Sequence, residues 1–451
     1  MMQGQIFRKF ANESPLTVMV RVMLETIFPA NQFDQLFPKE EEEKLHFRES
    51  LFSSIVDLMS LIGQVQLATH AICQTTHNDL KTTLSSFYRK VKRIEPNVFA
   101  EWVRQTAGRL DPVVHKMGRI LPQSLSGYLV RSVAGIDLTG AHNRLKESGH
   151  AKCKTLPCQS SIVLDPNLML AVDVLLHGKD DAGKDCLITP FLDMVQPQAV
   201  WMAPPIFNFL SFLAGIEQRL AFFIIRQNKS GLQYMPAGRR KMKGQTELGS
   251  IFEQKVHLVN GHGNKLFARR ITVELEDRSP DGQLDLHIFT NLPKRFQSLK
   301  LADFYYRQWM MEIAFQDLAA ALQSEVKAAG YPGAALFVYC LALIAYNILS
   351  VIKAALYAVR SEDNSHEDIS WSDLANEIDG AWRGMMIAIH SHDWSHAYAN
   401  FTTRQLTNTL ISLAKNVSLP EPYKPLPSQR DRSHAVKSMH YRVFNPSNAQ
   451  N

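Results

Sequence analysis

Residues 334–352 (AALFVYCLALIAYNILSVI) run without a charged side chain, and no other stretch constrains the fold as strongly. An uncharged helix of that length either spans a bilayer, which takes about 20 apolar residues, or lies buried on all sides of a large core. Gly330, Pro332 and Gly333 join it directly to an amphipathic helix at 302–326, and Asn347 and Ser350 interrupt its apolar surface. These features select a buried core helix, with no membrane as a partner. With 451 residues, 45% of them hydrophobic and 20% charged, the chain has the length for such a core and the composition of a globular protein. Two or three domains are expected at this length.

The neighbouring helix, ADFYYRQWMMEIAFQDLAAALQSEV, carries the most informative single residue. At about 100° per residue, Tyr305, Gln308, Trp309, Glu312, Phe315, Gln316 and Ala319 share one side, and Asp303, Arg307 and Asp317 the other. Glu312 is then the lone charge on an aromatic and apolar face, where an ionised carboxylate is costly without a cation or a strong donor. A metal-dependent enzyme of phosphate esters needs a carboxylate held this way. A salt-bridged core glutamate has the same pattern, and the helix alone leaves both readings open.

The formal net charge of +6 is compatible with a polyanionic partner without demonstrating one. Clustering says more: Arg89, Lys90, Lys92 and Arg93 crowd together, as do Arg239, Arg240, Lys241 and Lys243. Each run is either a nucleic-acid contact or a solvated loop. The five cysteines, Cys73, Cys153, Cys158, Cys186 and Cys340, form no CxxC pair, and their odd count points to a reducing, cytoplasmic setting. The N-terminal run MMQGQIFRKFANES lacks the apolar segment of a signal peptide. His390, His392 and His396 have helical spacing but no HExxH glutamate, and read as a surface cluster; no GxxxxGK[ST] phosphate loop occurs.

Three regions follow from texture. Residues 1–125 read as an all-helical N-terminal domain, with helices at 51–73 and 98–109. Between them a helix-turn-helix is expected, its first helix at 68–74 and its second at 83–94 exposing Arg89, Lys90, Lys92 and Arg93. Residues 126–360 read as α/β. Strand-like runs at 128–138, 160–165, 168–176, 199–203 and 220–226 are interspersed with helices at 180–195 and 207–219, the order of a mixed sheet flanked by helices. A β-rich insertion at 228–293 carries the basic run Arg239–Lys243. Residues 361–451 continue as helices and end in a mobile basic tail from Pro420. Asp137 closes the first strand, and a carboxylate at a strand end in an open sheet faces the crevice where ligands bind. Asp137 and Glu312 are therefore the candidate pair for holding divalent cations.

Several strings together resemble the bacterial insertion-sequence transposases of the DDE class, of the insertion-sequence-four type with its Tyr-Arg-Glu-Lys signature. Residues 133–138 with His142-Asn143-Arg144-Leu145 resemble the first-aspartate strand, Val163-Leu164-Asp165-Pro166 through Asp173-Val174 the next hairpin, and Trp201-Met202-Ala203 the strand leading to the second aspartate. Ile224-Ile225-Arg226-Gln227, Thr290-Asn291-Leu292-Pro293, the helix with Tyr305, Trp309, Glu312, Ala314, Phe315 and Gln316, and Gly330-Tyr331-Pro332 continue the likeness over most of the chain. The resemblance implies a ribonuclease-H-like catalytic domain, two Mg²⁺ ions, and cut-and-join chemistry on the terminal repeats of double-stranded DNA by a homodimer. It implies catalytic and metal-binding roles for Asp137 and Glu312, and Tyr305 and Arg226 are expected to contact DNA along with the clustered cations Arg239, Arg240 and Lys241 and those of the helix-turn-helix.

This copy departs from the pattern where the chemistry is most demanding. The second aspartate falls on Pro204, within Ala203-Pro204-Pro205, and proline is no metal ligand. The signature arginine falls on Gln308 and the lysine on Ala319. Two-metal phosphoryl transfer needs its anchoring carboxylates, so transposition is expected to be impaired. A catalytically dead DNA-binding descendant is the alternative.

Overall fold

The computed structural model describes residues 4–33, 41–70, 96–118, 125, 127–137, 159–177, 184–204, 207, 209–227, 232–259, 265–279, 282–326, 332–360 and 369–418. Strands β1 (Val130–Asp137), β2 (Gln159–Asp165) and β3 (Leu170–His177) form an antiparallel meander. Then β4 (Val200–Ala203) and β5 (Phe222–Arg226) extend it in parallel beyond β1. The β-rich stretch supplies β6 (Gln233–Pro236), β7 (Lys241–Thr246), β8 (Gly249–Val259), β9 (Lys265–Leu275) and β10 (Asp285–Thr290). It does not stand apart: β10 pairs antiparallel with β5, giving one 10-stranded mixed sheet in the order β3-β2-β1-β4-β5-β10-β9-β8-β6, with β7 on β8. The turn from β7 to β8 needs Gly249. Its φ of 135° disfavours any side chain, and a Cβ there would lie 2.0 Å from the Glu274 carbonyl oxygen.

Helices cover both faces. One layer holds α5 (Lys184–Met194) and α6 (Leu210–Gln218), packing Phe191, Phe212 and Ile216 on Trp201, Phe223 and Ile225. The other holds α7 (Ser298–Val326), whose Leu301, Phe304, Tyr305 and Trp309 pack on Met202, Ile224, Ile271 and Ile288. Strands β4 and β5 are apolar on both faces because both are covered.

The third core is helical. Helices α1 (Gln5–Glu13), α2 (Pro15–Ile27), α3 (Glu41–His70) and α4 (Pro96–Met117) pack with α8 (Pro332–Val359), α9 (Trp371–Ala388), α10 (Ser391–Tyr398) and α11 (Thr403–Ala414). Helices from the two ends of the chain thus share one core, which extends to Ala134, Ile162, Leu164, Leu170 and Ala171 of β1–β3. The uncharged helix expected at 334–352 is α8, and it is buried throughout from Leu336 to Ile352. Residues 68–70 close α3; the rest of the helix-turn-helix segment and the basic tail lie outside the described residues.

Several polar groups inside this core are paired. Asn347 on α8 accepts the Ala171 N–H at 2.7 Å and donates to the Ala171 carbonyl at 2.9 Å, so one side-chain amide closes part of the outer edge of β3. Arg21, fully buried on α2, donates to Glu25 at 2.9 Å and to both Glu49 oxygens at 2.6 and 2.7 Å. Arg48 also binds Glu25, and Ser395 on α10 donates to the same carboxylate at 3.0 Å. Phe52 and Trp394 flank the Arg21 guanidinium.

Candidate functional site

Glu312 lies on α7 facing the sheet, beside a cation. Arg226, the last residue of β5, has the strand parity of Ile224 and so reaches the α7 layer. Its guanidinium sits 4.1 Å above the Trp309 ring, a cation–π stack that the spacing of Trp309 and Glu312 along one helix face makes possible. The charges of Arg226, Glu312 and Tyr305 act on one another. Burial pushes the Glu312 carboxyl up to about 7, against the pull of Arg226 downward. Burial also raises the Tyr305 phenol, reinforced by Glu312, and depresses Arg226 from its ordinary value. Gln308, where the resemblance expects arginine, is buried, and its side-chain oxygen is buried without a hydrogen-bond donor. Three residues singled out from the sequence, Tyr305, Glu312 and Arg226, therefore come together.

The second-aspartate position follows β4, and Asp137 ends the neighbouring strand β1. Pro204 is buried directly after β4, the strand between β1 and β5. Asp193, the nearest acid upstream, is exposed near the end of α5 on the opposite layer. Asp137 ends β1, its backbone paired with that of Gln159. Among the described residues, no three His, Cys, Asp or Glu side chains gather as a metal site. A pair of Mg²⁺ ions requires several oxygen ligands. Among the described residues, a guanidinium, a phenol, an indole and an amide lie on the face of α7 that carries Glu312.

The second basic run lies at the far end of the sheet. Arg239 and Arg240 are exposed between β6 and β7, and Lys241 is exposed at the start of β7. Arg240 stacks 3.8 Å over Phe252 and pairs with Glu274. A cleft of about 480 Å³ opens here, lined by Ala237, Gly238, Arg239, Lys241, Lys243, Glu253, Lys255 and Lys294. Glu253 is the one acid in that lining. Burial works to raise its pKa, but hydrogen bonds from Arg269 and Ser298 outweigh this and hold it at about 2. The sequence reading missed Lys255 and Lys294 because neither belongs to a charge run. Strand alternation was the available signal for Lys255, two residues from Glu253 on the same face. Arg89, Lys90, Lys92 and Arg93 fall outside the described residues.

No family model matches the chain, and no curated protein sequence matches it. Among solved structures it is similar to a piggyBac transposase synaptic complex with hairpin DNA, with 11% identity over 95% of this chain and 90% of that one, at a TM-score of 0.31. A superposition that loose leaves the chemistry to be read from the residues themselves.

Proposed function

We propose that this chain is a DNA-binding protein of transposase descent on a ribonuclease-H-like scaffold, with cut-and-join activity impaired or lost. One observation supports the reading most: the Arg226 guanidinium, stacked on Trp309, acts on the buried Glu312 carboxyl. Pro204, buried where the family pattern has its second aspartate, supports it by offering no ligand. The transposase descent rests on the sequence strings, and with it come Asp137 and Glu312 as remnants of a two-Mg²⁺ site. What supports DNA binding is the exposed basic surface of Arg239, Lys241 and their neighbours, a form suited to phosphates rather than to base edges. The partners in this reading are terminal-repeat duplex DNA and a second copy of the chain on that DNA.

A retardation assay with terminal-repeat and random duplexes over a salt series tests this. The logarithm of the binding constant is expected to fall linearly with the logarithm of salt, by about 0.9 per phosphate contact. Arg239→Ala with Lys241→Ala is expected to flatten that slope by roughly two contacts. Absence of any retarded complex at low salt overturns the proposal.

A further inference from the structure

The cleft at the β7–β8 ribbon is built from two parts of the chain that a bound phosphate backbone would draw together. Lys243 is the extra residue of a β-bulge: Met242 pairs with Phe252 and Gly244 with Ile251, leaving Lys243 without an opposite partner. A bulge re-aims the side chain it carries, and the Lys243 ammonium lies 3.6 Å from Glu253 in the cleft. Gly244, with φ of 148°, permits the distortion. It also permits close packing, because a Cβ there would meet Leu299 of α7 at 3.1 Å.

Behind the cleft wall, Glu253 accepts hydrogen bonds from Arg269 at 2.9 and 3.3 Å. Arg269 also donates to the carbonyls of Leu292, Pro293 and Phe296 at 3.1, 3.2 and 3.0 Å and to Ser298 Oγ at 3.2 Å. Those carbonyls form the turn that enters α7, and Lys294 within the same turn lines the cleft together with residues of the ribbon. The cleft thus joins the ribbon, with Lys243 and Lys255, to the turn leading to the helix of Glu312.

We infer that this cleft is a phosphate clamp: a DNA backbone held by Lys243 and Lys255 of the ribbon and by Lys294 of the turn immobilises the turn 292–298 and the first turns of α7. This rests on the DNA-binding reading above and adds a site and a consequence to it. Five cations around a single carboxylate already engaged by Arg269 leave the cleft strongly attractive to a polyanion. Because the contacts are to phosphates, the clamp is indifferent to base sequence.

Amide hydrogen exchange of the full chain, with and without a random-sequence duplex, reads both parts. Wild-type protein is expected to gain protection across residues 290–305 on binding. Lys294→Met is expected to weaken binding only about three- to tenfold, with the salt slope reduced by about one, and to abolish that gain. Lys255→Met tests the ribbon and is expected to give the same pair of changes. Heparin, as a polyanion without DNA geometry, is expected to bind with less protection. Duplex binding that leaves 290–305 unprotected, or that is insensitive to Lys294→Met and Lys255→Met, overturns the clamp while leaving DNA binding by other cations intact. Failure to bind duplex at all overturns the clamp together with the reading beneath it.

Discussion

Glu312 shows how far a single residue could be read from sequence. Helical periodicity placed it on an apolar face and required a partner for its charge; it left metal and cation equally available. The choice was invisible because Arg226 is distant in sequence and reaches Glu312 only through strand parity and the crossing of α7 over β5. A carboxyl raised in the folded state favours folding below its unfolded pKa, and this contribution is lost as pH rises through the folded value. For Glu312 the window runs from the ordinary value of 4.5 to about 7. Glu312→Gln is therefore expected to match wild type near pH 4.5 and to gain stability relative to it by pH 8. A gain of about 2 kcal/mol is expected, reduced for partial exposure of the group. Denaturant midpoints at the two pH values check this; an unchanged difference would mean that Glu312 is not strained by burial.

At the scale of elements, strands and helices followed from period and turn chemistry, and α8 from its lack of charge. Pairing was less legible. The stretch 228–293 reads as an insertion because its composition differs from its flanks, yet β10 hydrogen-bonds to β5 and the ribbon continues the sheet. Register between strands depends on contacts that no local pattern encodes. Asn347 illustrates the point: as an amide in an uncharged helix it argued against a membrane span, but its specific task is to close the edge of β3 at Ala171. Asn347→Leu strands a buried N–H and a buried carbonyl, and is expected to cost about 2–4 kcal/mol. Chemical denaturation measures that loss. A near-neutral substitution would show that water or a neighbour replaces the amide.

For the whole molecule, the N-terminal helices and the last helices build one core, with Arg21, Glu25, Arg48, Glu49 and Ser395 joined at its centre. Arg21→Met removes one side of this buried network and is expected to destabilise the chain by about 3 kcal/mol or more. The loss should appear as a single shifted transition, since the core spans both ends. Two separate transitions would indicate that the ends fold independently. The same architecture sets the basic run Arg239–Lys243 on the ribbon at the end of the sheet. We propose above all that this scaffold holds duplex DNA without cutting it, with Arg226 acting on the Glu312 carboxyl. The most direct measurement is denaturing electrophoresis of end-labelled terminal-repeat duplex recovered from the retarded complex after incubation with Mg²⁺ or Mn²⁺. Intact strands in a salt-sensitive complex are predicted, and nicked or joined strands that depend on the added ion and on Glu312 would contradict it.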